Sequence, residues 1–471
     1  MKKIFQLALL ALCVAVNMSA VAAEGTTAGD GTQWTLAKLA AADMGIEQKG
    51  DTFTLSQTVT IAKGDHFSLT PGAVVKLAKG VSFQVEGTAD FNMPADGRVL
   101  FTRSAEDVVP GVVYMMCDDA VVTVKNVDFE YAGLKNFSET GLIVDSCTFR
   151  YHAASSANGS SAISMGTSGA AFTITNCIFE RNQRAAIGGA ANYSNPLTVE
   201  NCQFLYNGTS NQQYPQLNLT AASQVTIRQC VIIGDPSKTR VGGIVVADLL
   251  GLVPDANLLI EDCFVKDARF GIAVYSGQKA VVRNNILVNN NAETNPNNGG
   301  SGINIYDTTG QQNTTITGNF ITGSLWGVTV VATKPGTVAN LGRVDVDESA
   351  DDYNIGQNVF FNNGNSGVVY DLYNNSANTV YAQNNFWLTA ATFRPEGIDT
   401  CIFDKSDNAA LGEVVYKAGG QPSSTNLPAM QQVMARGVQA IYTLGGVRTG
   451  EMSRGLNIVR KEDGTTLKVV R

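Results

Sequence analysis

The chain has 471 residues, of which 44% are hydrophobic and only 16% charged, with 47 glycines and a formal net charge of −8. That length suits two or three domains or one elongated repeat array, and the composition excludes a disordered chain. The acidic balance excludes any general attraction to nucleic acid or anionic lipid.

The first residues read as an export signal. Lys2 and Lys3 precede the apolar run "IFQLALLALCVAV", and "SAVAA" supplies small residues for cleavage near Ala23. The apolar run is too short to span a bilayer, and no later stretch reads as a transmembrane helix. Residues 24–50 follow as an N-terminal cap, with "QWTLAKLAAADMGIEQ" over 33–48 patterned as a short amphipathic helix able to cover an open end.

From residue 51 the chain repeats. Ten copies of an eight-residue motif align: "VTVKNVDF", "LIVDSCTF", "FTITNCIF", "LTVENCQF", "VTIRQCVI", "LLIEDCFV", "AVVRNNIL", "TTITGNFI", "YNIGQNVF" and "TVYAQNNF". The third position is apolar, as at Val144, Val199, Ile227 and, in the last two copies, Ile355 and Tyr381. The eighth is Phe129, Phe149, Phe179 and Phe204 in early copies and Phe360 and Phe386 in the last two. The sixth is Val127, then Cys147, Cys177, Cys202, Cys230 and Cys263, then Asn285, Asn319, Asn358 and Asn384. Positions one and three share one side of a strand, as do six and eight, so a bend must separate three from six. Position five, commonly Asn, Asp or Gly, tolerates the left-handed backbone that such a bend requires.

Between copies lie short β-branched runs, among them "GGIVVAD", "GIAVYSG", "SGINIYD", "WGVTVV" and "SGVVYDL". One period therefore holds about three short strands and no helix. Strands recurring once per turn pair with their equivalents above and below. The fold class expected is all-β, a right-handed parallel β-helix (solenoid) over 51–413 with a small C-terminal β unit. Sandwiches and propellers need hairpins or four-stranded blades that the pattern lacks.

These strings resemble the repeats of pectin-lyase-like β-helix proteins. Residues 56–103, from "QTVTIAKGDHFSLTPG" to "VLFT", resemble the opening coils of secreted bacterial members, and "NNFW" resembles a closing motif. After a Gly/Ser/Pro-rich linker over 414–434, residues 435–471 read as three short strands. They resemble the C-terminal tails of exported Bacteroidetes proteins through Ile441, Tyr442, Leu444, Gly446, Gly455, Leu456, Ile458 and Val459. The resemblance implies a sorting signal and a secreted or cell-surface location; a terminal cap is the other reading of this segment.

The in-register cysteines form a ladder, one per coil, poorly arranged for tetrahedral zinc or disulfides, and read as reduced packing units. The later Asn rungs read as an internal amide ladder. His66 and His152 lie in distant coils, which argues against Ser-His or Cys-His catalysis. β-Helix polysaccharide lyases, by resemblance, use a Lys or Arg base and often Ca²⁺. The weak catalytic candidates on that basis are Arg181, Arg184, Lys266 and Arg269, with Arg283 beside them, and solvated turn residues are the plainer reading. The acidic run "VDVDESADD" offers Asp345, Asp347 and Asp351 as Ca²⁺ ligands, or a solvated loop. Tyr275, Tyr306 and Tyr370 occupy equivalent strands and would stack along one face, as a sugar platform or as a sheet-stabilising ladder.

These readings combine into an exported, surface-associated, monomeric β-helix protein that binds an extended polysaccharide and carries no certain cofactor. A Ca²⁺-assisted lyase and a passive adhesin or stalk are the alternatives.

Overall fold

The computed structural model describes residues 25–417 apart from short stretches at 118–119, 156–158, 168, 191–193, 221–222, 249, 252–255, 277 and 393, together with strands between 438 and 470. The expected signal peptide and most of the linker lie outside the described residues.

Three long sheets run the length of the coil stack, with 14, 14 and 13 strands. One coil shows the plan. Leu197–Glu200 lies in the first sheet, Gln203–Leu205 in the second and Leu217–Leu219 in the third, and Gln224–Arg228 returns to the first sheet one layer up. Each strand pairs in parallel with its equivalent in the next coil, as Val199 does with Ile227 and Phe204 with Ile232. The molecule is therefore a parallel β-helix. Fourteen layers at the usual strand spacing make a rod roughly 60 Å long.

The parity change expected between positions three and six is a left-handed residue. Asn126, Ser146, Asn176, Asn201, Gln229, Asp262 and Asn284 have φ between 53° and 56°. That kink turns the next two inward side chains onto the second face. Its consequence is the column of rings inside the rod. Phe129 to Phe149, Phe149 to Phe179 and Phe179 to Phe204 stack at 4.7, 5.1 and 4.9 Å.

Beside that column runs the cysteine ladder. The Cys147 N–H donates to Cys177 Sγ and the Cys177 N–H to Cys202 Sγ, each at 3.4 Å. All five rungs are buried cysteines. Burial pushes the Cys177 and Cys202 thiols well up, which keeps them protonated and unreactive.

Three assignments in the last coils need correction. In the ninth copy Ile355 is 44% exposed and belongs to no strand. The first-sheet strand of that coil is Val338–Asn340, and the long insertion sits in the corner after it. In the tenth copy the left-handed residue is Asn384, φ 55°, so the register is one residue later. Asn385, not Asn384, is the internal rung, donating from Nδ2 to the Leu341 and Ala382 carbonyls. Trp387, not Phe386, faces the core and stacks on Phe360 at 4.6 Å. In the first sheet, Val380 is buried and Tyr381 is not.

The third correction concerns "SGVVYDL". Ser366 and Gly367 both have positive φ, 52° and 82°. Two such residues make a tight hairpin turn. Val368–Val369 therefore folds back on Gly364–Asn365, and the third-sheet strand begins later, at Leu372–Asn375.

At the N-terminal end the helix is Leu36–Ala41, shorter than the 33–48 pattern, and buries Leu36 and Leu39. The Gln33–Trp34 strand before it starts the first sheet, and Ile46–Lys49 starts the second by antiparallel pairing with Thr52–Leu55. The C-terminal unit has four antiparallel strands rather than three, with Arg448–Thr449 at one edge and Thr466–Val470 at the other.

Candidate functional site

The inside of the rod is filled, so chemistry must come from outward residues and corners. On the first sheet, position four forms a ladder of polar side chains, charged except at Thr175, in register: Lys125, Asp145, Thr175, Glu200, Arg228, Glu261 and Arg283. Neighbouring rungs pair, Lys125 with Asp145 at 3.0 Å, Arg228 with Glu200 at 2.8 Å and Arg283 with Glu261 at 2.6 Å. Arg283 is thus half of an ion pair on a flat face.

Most second-sheet strands from Val127–Glu130 onward end in another left-handed residue. Tyr131, Tyr151, Arg181, Tyr206, Asp267, Asn289 and Asn362 have φ of 51° to 63°. The residue after it points inward, which creates a second polar ladder that sequence reading missed. Asn182 Oδ1 accepts from the His152 N–H at 2.9 Å, and Asn182 Nδ2 donates to Asn207 Oδ1 at 2.7 Å. Asn207 Nδ2 continues to Gln216 Oε1 at 2.8 Å. The signal was present: Asn182, Asn207, Asn290 and Asn363 each fall five residues after a ladder Cys or Asn. His152 is a buried member of this ladder, and the ring nitrogens of His66 lie 2.7 Å from Thr88 Oγ1 and 3.1 Å from Ser68 Oγ.

The cationic candidates do not converge. Arg181 pairs with Glu180 at 3.0 Å and stands over the Tyr206 ring. Lys266 pairs with Asp267 at 3.2 Å. Arg184 lies over the Tyr214 ring at 5.0 Å, and Arg269 Nε donates to the Asn298 carbonyl at 2.8 Å. Arg184 and Arg269 have no carboxylate partner among the described residues.

Asp345, Asp347 and Asp351 do not come together as a three-ligand group, and no such group of His, Cys, Asp or Glu exists among the described residues. Arg343 pairs with Asp345 and Asp352, and Asp347 accepts from the Ser349 N–H at 2.9 Å. The run is a loop clipped to one arginine.

The third sheet differs from the others. In its middle coils the row opposite the core is small and largely covered: Ser164, Gly188, Val245, Ala273 and Thr329 are buried and Asn218 and Asn304 half-buried, all in register. It then becomes aromatic at Tyr373 and Phe403. Tyr275 and Tyr306 are paired neighbours in the next outward row, with ring centroids 5.4 Å apart. Val331 continues that row, so Tyr370 is not its third member. The hairpin displaces Tyr370 to the strand's leading edge, where it meets Trp326 at 4.7 Å. Trp326 also stacks on Tyr373 at 5.0 Å, and Tyr373 meets Phe403 edge-on at 5.2 Å. Four partly exposed rings therefore form one platform on the last coils.

Beside the platform the second corner opens into a cleft of about 520 Å³, bordered by Asn289, Asn291, Asn362, Asn365, Ser324 and Thr389. Behind it Asp371 is fully buried. Burial pushes its carboxyl up to about 6, against the lowering effect of the Asn363 amide, which donates to Oδ1 at 2.9 Å. A raised folded pKa means the fold favours the protonated acid. That contribution is complete below pH 4 and is lost as pH rises through about 6. Asp371→Asn is expected to match the native chain in urea at pH 4 and to exceed its stability by roughly 3 kcal/mol at pH 8.

Residues 111–321 match the family described as right handed beta helix region. The matched stretch runs from the third-sheet strand at Val112 to the second-sheet strand at Phe320–Thr322, and so holds the whole cysteine ladder. With the parallel sheets it makes the fold a right-handed parallel β-helix. The aromatic platform and the cleft lie mainly on coils beyond the match. No curated protein matches the chain. Among the described residues no helix is long and apolar enough to cross a membrane.

Proposed function

We propose that the third sheet's outer face binds an extended polysaccharide and does not cleave it. The observation that carries this reading is the partly exposed ring platform of Trp326, Tyr370, Tyr373 and Phe403 on the outward side of the third sheet's last coils. Aromatic faces pack against the C–H faces of pyranose rings, and a solenoid repeats its surface along the line of a polymer. The leader-like first residues and the C-terminal strands support export and surface association, with the tail as the sorting element and the chain acting as a monomer of the pectin-lyase-like type.

The test is retention of the mature chain on a panel of polysaccharides, uronic-acid polymers included, with and without Ca²⁺. Trp326→Ala and Tyr373→Ala are each expected to weaken retention about tenfold, as for aromatic anchors in general. Arg184 and Arg269, free of carboxylate partners among the described residues, favour a lyase as the second reading. Ultraviolet absorbance from unsaturated products would establish it. A passive stalk would show neither product nor retention.

A further inference from the structure

The outer side of the second sheet changes character along the rod. In its early coils the two outward rows carry Asp128 and Thr148, and Glu130, Arg150 and Glu180. From Val231 onward they turn apolar. One row runs Val231, Phe264, Ile286, Phe320, Val359 and Phe386. The other holds Ile233 and Val288 on either side of Lys266, with Phe361 further on.

These side chains stand on the far side of the sheet from the core, yet Val231, Phe264 and Val288 are only 6, 2 and 9% exposed. A sheet leaves its outer row open to water unless another layer lies on it. The partly buried apolar residues packed with this cluster, Ile233 and Ile286, belong to the same sheet. Among the described residues, then, no other apolar part of the rod supplies the covering layer. The apolar face also extends past the cluster, since Phe361, two layers beyond Val288, is 48% exposed.

The C-terminal unit has the complementary deficiency. Its four strands form one layer, and the connections 444–447, 450–455 and 462–465 are too short to cover either side. Such a sheet needs a second layer against one face to be stable in water. Alternate cross-strand rows share a face. The rows Ile441–Val459–Leu467 and Thr443–Asn457–Val469 are uncharged and fall on one face. The rows that alternate with them place Arg448, Arg460 and Lys468 on the other.

The chain path brings the two together. Lys417 is the last described residue of the rod, and its carbonyl accepts from Gln383 Nε2 at 3.1 Å, beside the corner that leads into Phe386–Trp387. Phe264 lies four layers from Phe386, about 19 Å at the usual strand spacing. The 20 residues 418–437 can span up to about 66 Å, more than the path requires.

We propose that the C-terminal four-stranded sheet docks through its uncharged rows on the outer second-sheet face around Phe264, as a second layer. A second copy of the chain fits less well. The six layers from Val231 to Phe386 offer a face of roughly 25 by 10 Å, far below the 800 Å² or so per partner of a stable dimer. A tethered partner needs less area, because its effective concentration is high. The docked sheet leaves the aromatic platform of the third sheet open, so this inference stands apart from the polysaccharide reading.

Lysine-reactive cross-linking of the full mature chain, read by mass spectrometry, tests the placement. Lys266, within the apolar stretch, is expected to link to Lys461 or Lys468. Lys76, seven layers earlier on the same sheet, is expected to link to neither. Mixing isotope-labelled with unlabelled chains separates links within one chain from links between copies. Amide hydrogen exchange supplies the second measurement. Phe264→Asp should speed exchange in Leu456–Lys461 and Thr466–Val470 about tenfold or more, while Leu197–Glu200 keeps its protection. Val288→Lys should have the same effect, so the result does not hang on how one variant folds. Absence of any Lys266 link within a chain, tail strands that already exchange freely in the native chain, or unchanged exchange in both variants would overturn the docking. Lys266 links found only between copies would also overturn it, and would assign the face to a second copy.

Discussion

Asn319→Leu is expected to cost about 3–5 kcal/mol, whereas Cys202→Ala, at the same repeat position, should cost about 1–2 kcal/mol. The two rungs share burial and register but not chemistry. Asn319 Oδ1 accepts from both the backbone and side-chain N–H groups of Asn285 at 3.0 Å, and its Nδ2 donates to Val282, Thr317 and Asn358. Leucine would leave the Asn285 donors and several acceptors without partners in a dry interior, and each orphan carries its own desolvation penalty. Cys202 offers only weak bonds: Sγ lies 3.3 Å from the Glu200 carbonyl and 3.5 Å from that of Ile174, and it accepts from the Cys177 N–H at 3.4 Å. Its loss is mainly that of one packed sulfur. Urea unfolding followed by circular dichroism measures both; equal midpoints for the two variants would show that the amide ladder contributes no more than packing. Because each coil touches only its neighbours, the Asn319 variant should also broaden the transition as the C-terminal coils melt first.

Asp65→Ala should release the N-terminal cap at a cost of about 3–5 kcal/mol to that segment, since hydrogen bonds to a carboxylate are among the strong ones. The buried Asp65 carboxylate accepts from the N–H groups of Gly29, Gly31 and Thr32 at 2.9, 3.0 and 2.9 Å, and from Trp34 Nε1 at 3.1 Å. Burial alone would raise this carboxyl; the hydrogen bonds from Thr27, Gly29, Thr32 and Trp34 outweigh it and hold it below its ordinary value. A depressed folded pKa stabilises the cap above the unfolded carboxylate range, near pH 4, and the contribution is lost as pH falls below it. Amide hydrogen exchange over residues 25–34 should therefore accelerate in the variant at pH 7, and in the native chain only in acid. Unchanged protection in the variant would remove Asp65 from this role.

Much of the fold was legible because it depends on side-chain parity. Val199, Cys202 and Phe204 announce two inward strands and a kink between them, and Asn201 supplies the kink. The second ladder was equally present, in Asn182 and Asn207, but a lone Asn near a strand end reads as a turn residue until the neighbouring coil is seen to stack on it. Misreading began where the pattern is carried by few residues. "YNIGQNVF" keeps the kink and the rung yet lends its Ile355 to no strand, because the insertion lies inside the corner rather than between coils. Ser366 and Gly367 turned an apparent sheet strand into a hairpin, since two successive left-handed residues reverse the chain whatever follows them.

By itself the sequence determined the coil: three short strands per period, which side chains face inward, and the ring and ladder columns that follow from stacking equal positions. Those properties repeat every layer and survive loops that place successive rungs 20 to 39 residues apart. Only the tertiary structure decided which outward residues meet. Whether Tyr370 continues a row from Tyr306 or joins Trp326, and whether Ser324 and Asp371 share one cluster, depends on how each loop re-enters the stack. Loop re-entry is set by local backbone geometry and cross-coil hydrogen bonds, which leave no periodic trace.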